Sequence, residues 1–363
     1  MAFGNRCMFV RFSLFSILAS PYFAKNYAVL IDTSRLWTNY RHSSNTLAFY
    51  NVLRDMGFSD DRLTVFMTGD VPCSFCNPDA GTVFHTRGQD LFKSLYSDVK
   101  GDEISREGIT RLLKGKHRPM TPRSRRMGSS EDSRLFVFMT GHSGIGFAKI
   151  QDLEEFSASD IADTIHEMSE VGRYSHFVWF ADTCRAASLH EAFYSPNLVA
   201  VGSSANRQSS YSRHGDNQLG VSIVDRFSYN AEDFLKRMIR NSHNRSLTIE
   251  DFSSLFDRPM LMSDISVRTD LADPDSSYRL IDFVASAMTI QESSWSTESY
   301  VSESEKAQPR GDLSVVSRLM SHGNIEYVVG LVYNNSESFS MQLSHVCSSL
   351  LFILLVFLVY LLP

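Results

Sequence analysis

Cysteine is scarce in this chain, with five among 363 residues: Cys7, Cys73, Cys76, Cys184 and Cys347. Cys7 and Cys347 fall in terminal apolar segments, which leaves three in the body and rules out a disulfide scaffold. Excess positive charge is also missing. The formal net charge is −6, so nothing global points to nucleic acid as a partner. The local exception is the basic stretch Lys114–Arg126, KGKHRPMTPRSRR. No internal repeat is visible, which sets aside solenoids and arrays. What the chain does have is apolar material: 43% hydrophobic and 12% aromatic residues support a sizeable core and exclude a disordered protein. Its length suits one large domain or two smaller ones.

The two ends differ from the body. Arg6 and Arg11 precede FSLFSILASPYFA, with small residues near Ser20 and Ala24. This pattern predicts a secretory signal over residues 1–24, too short to span a membrane; a buried N-terminal strand is the competing reading. Val346–Pro363, VCSSLLFILLVFLVYLLP, carries no charge over 18 residues. That length is near the minimum for a membrane-spanning helix, although a removable lipid-anchor signal also ends in an apolar run. Signal plus tail predicts a type I protein with a lumenal body. The sequons at Asn244 and Asn334 are compatible with it. Residues 286–345 turn polar and rich in Ser and Glu, and read as a stalk, with Ile325–Tyr333 apolar enough for a short ordered piece.

Between the ends, short apolar runs recur at Tyr27–Ile31, Leu63–Met67, Leu135–Met139, Phe177–Phe180 and Leu198–Val201. Runs of four to six residues, apolar on both faces, suit central strands of a parallel sheet. Ser44–Met56 places Ala48, Phe49, Val52, Leu53 and Met56 on one helical face, with Gly57 where a C-terminal cap belongs. Ile161, Ile165 and Met168 mark a second amphipathic helix, with Ser157 and Ser159 as candidate N-caps. Alternating strand and helix predicts an α/β sandwich of three layers with a mostly parallel central sheet.

Binding crevices of such sheets lie beyond the carboxyl ends of the strands. His142 follows the third run by three residues, in GHSG, and Cys184 follows the fourth by four, in ADTC. If those strands are neighbours, an imidazole and a thiol project from one edge. A free thiol has a pKa of about 8.5 and needs a nearby base or cation to react at neutral pH. The Ser143 and Cys184 N–H groups would then serve a developing oxyanion. Ser203 and Ser204, after the fifth run, are candidates to line the cleft.

MTGHSGIGFAKIQDLEE and ADTCRAASLHEAFYSPN closely resemble the His and Cys motifs of the catalytic subunits of GPI-anchor transamidases, in the legumain-type branch of the caspase-like cysteine peptidases. NYAVLIDTSRLWTNYRH, GTVFHTR, TPRSRR, GVSIVDRFSY and RTDL match in the same order, so the likeness runs from about Asn26 to Phe283. It implies a caspase-like catalytic domain over 25–285 and a lumenal enzyme of the endoplasmic reticulum membrane. Its partners would be other membrane subunits of a transamidase complex, the C-terminal signal peptide of proproteins and the GPI lipid. Cys184 would form a thioester, resolved by the ethanolamine amine of the lipid. His142 would act as base and then acid, and Asn39 in TNYRH would orient His142. No cofactor is needed for that chemistry.

The resemblance also implies a structural calcium ion held by Asp60, Asp102 and the Leu63 carbonyl. A third acidic position of the family is Lys100 here, and an ammonium is unfavourable in the shell of a hard cation. Cys73, in the C-x-x-C of Cys73–Cys76, stands where the family forms an intersubunit disulfide; a local bridge or two free thiols are the alternatives. The basic Lys114–Arg126 segment is either a solvated loop or a surface for lipid phosphates. Two departures touch the site. Ser143 replaces a glycine of the family, and DTCRAAS replaces DTCQGAS, so that Arg185 and Ala186 adjoin the nucleophile. Two other functions remain open to such a chain: a legumain-like endopeptidase of the secretory pathway, and an inactive caspase-like scaffold.

Overall fold

The structure is a computed structural model and describes residues 25–286 except 87, 93–97, 123–124 and 241. The signal (1–24), all but the first residue of the stalk (286–345) and the tail (346–363) lie outside the described residues. Among the described residues, no helix is long and apolar enough to cross a membrane.

All five apolar runs form strands of one seven-stranded sheet. These are β1 (Asn26–Asp32), β2 (Leu63–Met67), β4 (Arg134–Thr140), β5 (His176–Asp182) and β6 (Leu198–Gly202), with β3 (Val99–Lys100) and β7 (Ser266–Arg268) at the edges. The order is β7-β6-β5-β4-β1-β2-β3, and every pairing is parallel except β6 with β7. The mostly parallel three-layer sandwich is therefore as the sequence predicts. The two edge strands, two and three residues long, carry no apolar run to announce them.

The runs are apolar throughout because both faces are covered. Ala28, Leu30, Phe136, Phe138, Val178 and Phe180 face one layer, where Leu47, Phe49, Val52 and Leu53 of α1 (Tyr40–Asp55) pack with Phe227 and Leu235 of the helix Arg226–Arg240. Val29, Ile31, Leu135, Val137, Phe177 and Trp179 face the other layer. There Ile109 and Leu112 of α2 (Arg106–Leu113) pack with Ile161, Ile165 and Met168 of α3 (Ala158–Glu170). Phe49 stacks on Phe138 with ring centroids 4.0 Å apart. Each such buried side chain stabilises the fold by about 1.5–3 kcal/mol.

Helix ends follow the expected chemistry. Ser157 caps α3 by accepting from the Asp160 N–H, while Ser159 lies inside the helix. Gly57 follows α1 with φ +90°, its N–H donating to the Arg54 carbonyl. The start of α1 differs from the sequence reading: it begins at Tyr40, four residues before Ser44. The added residues and the start of the predicted helix read as polar, yet Ser43, Ser44 and Asn45 are buried. They support the site instead of joining the apolar core, which is why hydrophobic periodicity missed them.

Candidate active site

Three central strands end in a row of buried polar residues. In the sheet register Asp32 pairs with Thr140, and Thr140 with Asp182. His142 and Cys184 each lie two residues beyond this row, on adjacent strands. Sequence reasoning required that adjacency, and the fold supplies it. The turn after β4 is held tightly against its neighbour. A side chain on Gly141 would place its Cβ 1.9 Å from Thr33 Oγ1, so only glycine fits there. Past His142 the chain folds back as a small antiparallel sheet of Ser143–Gly144, Phe147–Ile150 and Glu154–Ser157.

The His and Cys loops are joined directly. Ser143 Oγ donates to the Cys184 carbonyl, and Ser188 Oγ accepts from the Gly146 N–H at 2.9 Å. The half-buried Cys184 has its Sγ 4.0 Å from the Ser210 carbonyl. Among the described residues its backbone N–H has no acceptor, so this donor is free to meet an oxyanion.

Asn39 sets the imidazole. It sits at the start of α1, buried, with φ −103° and ψ 17°. Its Nδ2 donates to the Arg35 carbonyl at 2.7 Å, which leaves Oδ1 to face His142 Nε2 at 2.8 Å. A carbonyl oxygen only accepts, so Nε2 carries the proton and Nδ1 carries the lone pair. Burial and then the Arg41 cation hold the His142 pKa below its ordinary 6.5. The ring is therefore neutral at neutral pH, as a base for the thiol must be.

Beneath the pair lies a buried network whose parts the sequence reading did not single out. Asp225 receives Arg41 Nε at 3.1 Å and Asn45 Nδ2 at 2.7 Å. Asn45 also donates to Thr140 Oγ1 at 3.0 Å, tying the network to the strand that carries His142. Asp182 receives Ser210 Oγ at 2.7 Å and Ser228 Oγ at 2.6 Å. Burial, and the Asp182 carboxylate after it, push Asp225 up to about 7. On the far side Asp32 accepts from the Ser34 N–H and from Ser43 Oγ, and burial pushes it to about 7 as well. The available signal was the polar run RHSSN in a helix otherwise apolar on one face.

Other expected site residues are placed differently. Ser203 and Ser204 do not line the cleft: both are fully buried. Their hydroxyls donate to the Thr183 carbonyl at 3.3 and 2.8 Å, and Ser204 Oγ accepts from the Ala186 N–H at 3.1 Å. They brace the nucleophile turn from behind. Asp60 and Asp102, the carboxylates expected to hold calcium, both lie at the surface. Asp60 is engaged by Arg54 at 3.0 Å and by Tyr50 at 3.4 Å, and Asp102 is exposed on the turn after β3. Among the described residues no three His, Cys, Asp or Glu side chains are grouped to hold a metal ion. Cys73 and Cys76 are exposed free thiols with Phe75 fully exposed between them. A hydrogen bond from the Cys73 thiol to Asp70 raises its pKa.

The sequence model of the peptidase C13 family matches residues 26–258, from the first strand past the nucleophile and through the network. The chain belongs to the peptidase C13 family. Peptidase C13 membership makes it an enzyme of the cysteine-peptidase class, and among the described residues Cys184 is the one cysteine that lies just past the strand-end row. Curated relatives named "GPI-anchor transamidase" include that of Saccharomyces cerevisiae, 40% identical over 269 residues, covering 73% of this chain and 65% of that protein. The Schizosaccharomyces pombe protein is 39% identical, covering 65% of this chain and 62% of its own length. The human protein is 35% identical over 272 residues, covering 73% and 68%. The match thus spans about two thirds of these relatives. Among solved structures, caspase-1 of Spodoptera frugiperda aligns with 68% of this chain and 86% of its own, at 10% identity and a TM-score of 0.39.

Proposed function

We propose that this peptidase C13 chain is the catalytic subunit of a GPI-anchor transamidase. The observation that carries the reading is the Asn39–His142 hydrogen bond. It leaves an unprotonated Nδ1 on the strand in register with the one that carries Cys184.

In the proposed reaction His142 Nδ1 takes the proton of the Cys184 thiol. The sulfur attacks the carbonyl carbon of the attachment residue in a proprotein, near its C-terminal signal. The Cys184 N–H holds the oxyanion, joined by that of Ser143. The C–N bond breaks, His142 returns its proton to the leaving amine, and a thioester remains on Cys184. The ethanolamine amine of a GPI lipid then attacks that carbonyl carbon and gives its proton to His142. The C–S bond breaks, and the products are an amide and a free thiol.

The setting proposed with this chemistry is the endoplasmic reticulum membrane, with a lumenal body on a single C-terminal span. The partners would be other membrane subunits. Exposed Cys73 beside exposed Phe75 supports a covalent junction with one of them.

The deciding experiment replaces the native subunit in cells with Cys184→Ala. Surface display of lipid-anchored reporters should vanish while the variant still co-purifies with membrane partners. Normal display would remove every enzymatic reading and leave a scaffold. A purified wild-type chain that hydrolyses a short Asn-containing peptide efficiently, without other subunits, would make it an endopeptidase.

A further inference from the structure

Among the described residues, the side chains of two arginines on the strand ends beside His142, Arg35 and Arg185, make no hydrogen bond or ion pair. Arg185 directly follows the nucleophile, and its backbone is fixed from three sides. Its N–H donates to the Gln208 carbonyl at 2.8 Å, and its carbonyl accepts from the Ser188 N–H at 2.9 Å and from Ser188 Oγ at 2.8 Å. Its φ is +53°, a left-handed conformation that side chains other than glycine adopt at a cost, and such strain gathers at functional sites. The half-buried guanidinium makes no hydrogen bond or ion pair among the described residues. Arg35 is half-buried too, and its Nε–H is buried without a partner among the described residues.

Register relates the two. Arg35 lies three residues beyond Asp32 and Arg185 three beyond Asp182, so they flank the strand that carries His142. Strands one apart in a sheet are about 4.8 Å away, which puts these two strand ends roughly 10 Å apart, within reach of two arginine side chains. The other cations near the imidazole are compensated: Arg41 by Asp225, and Lys149 by Asp152 at 3.2 Å. Arg185, next to Cys184, and Arg35 thus each bring a guanidinium that is uncompensated among the described residues to the strand ends on either side of His142, in a chain whose net charge is −6. A buried orphan donor and an unpaired cation both favour an incoming anion, and the guanidinium fork matches phosphate oxygens.

We infer that Arg185, together with Arg35, binds the phosphodiester of the incoming phosphoethanolamine and so presents its amine to the Cys184 thioester. The inference rests on the transferase reading and deepens it. In phosphoethanolamine two carbons separate the phosphate oxygen from the nitrogen, so an anchored phosphate keeps the amine beside the nucleophile. The nitrogen then bonds to the thioester carbon, its proton passes to His142 and the C–S bond breaks. Held in place, the amine competes with water through effective concentration.

The test compares two nucleophiles that differ by the phosphodiester, ethanolamine and glycerophosphoethanolamine. The full chain is assayed in membranes of cells that lack their own catalytic subunit, with a fluorescent proprotein peptide as acyl donor. Wild type should use glycerophosphoethanolamine at a KM at least about tenfold below that of ethanolamine. Arg185→Gln should erase most of that difference while leaving the KM of ethanolamine and of the peptide unchanged. Arg185→Lys should keep part of it. The ratio is read within one preparation, so it is independent of how much variant folds. Equal changes for both amines, or no change, overturn the inference. So does a rise confined to the peptide KM, which would assign the guanidinium to a carboxylate of the proprotein. Wild type forming no amide with either amine removes the transferase reading itself, and the inference with it.

Discussion

Thr140 and Asp182 are register partners in the parallel pairing of β4 with β5, and the imidazole and the thiol each lie two residues past them. This relationship turns two isolated residues, 42 positions apart in sequence, into one site. Asn39, from the turn into α1, then selects which imidazole nitrogen is free.

Removing that selection should impair chemistry more than binding. Asn39→Ala leaves Nε2 without its acceptor and lets the ring turn and change tautomer. We expect kcat to fall about 10- to 100-fold with KM nearly unchanged, as for loss of a group that acts in the transition state. Single-turnover formation of the Cys184 thioester measures it directly. A fall seen only in KM would contradict the assigned role.

The acid limb of the pH–rate profile should lie below the ordinary histidine value of 6.5, because burial and Arg41 favour the neutral ring. The active base is that neutral form, so activity is lost only as pH falls through the lowered pKa. Asn39→Asp sets a carboxylate against the imidazole, favours the cation and should move the limb to higher pH. The profile of kcat/KM for both proteins checks this, and an unmoved limb would exclude His142 as the titrating group.

Stability should depend on Asp32. Its folded carboxyl keeps its proton up to about pH 7, whereas an unfolded aspartate releases it near 4. Between those values the folded state binds more protons, so stability falls as pH rises through the window. Asp32→Asn keeps an acceptor for the Ser34 N–H and cannot titrate, so it should gain in Tm relative to wild type between pH 4 and 7. Asp225 adds the same slope to both proteins, so the difference isolates Asp32. Parallel Tm curves would show that Asp32 is ionised throughout.

Ser204→Ala should loosen the nucleophile turn from behind. It removes the donor to the Thr183 carbonyl and strands the buried Ala186 N–H. The expected cost is about 1–3 kcal/mol of stability, with faster hydrogen exchange at Ala186 and Ala187. A variant of wild-type stability and exchange would return Ser204 to the role of a cleft residue.

Much of this architecture was legible in the chain itself. Tyr27–Ile31, Leu63–Met67, Leu135–Met139, Phe177–Phe180 and Leu198–Val201 read as buried strands because each is apolar on both faces, and both faces are covered. Ser157 and Gly57 announced helix ends because capping is local chemistry between residues three or four apart. His142 and Cys184 stood out because each follows such a run, where strands of an open sheet deliver side chains to a crevice.

What only the fold decided are the relations between segments. Polar residues carry no periodic mark of burial, so nothing marked Ser44 and Asn45 as buried, and Ser203 and Ser204 read as a cleft wall. Register and hydrogen bonds across more than a hundred residues then joined Asn39 to His142 and Asn45 to Asp225. The sequence determined which segments must be buried, since apolar patterning acts residue by residue. Which polar groups meet beneath the thiol depends on strand order, and strand order exists only once the sheet has closed.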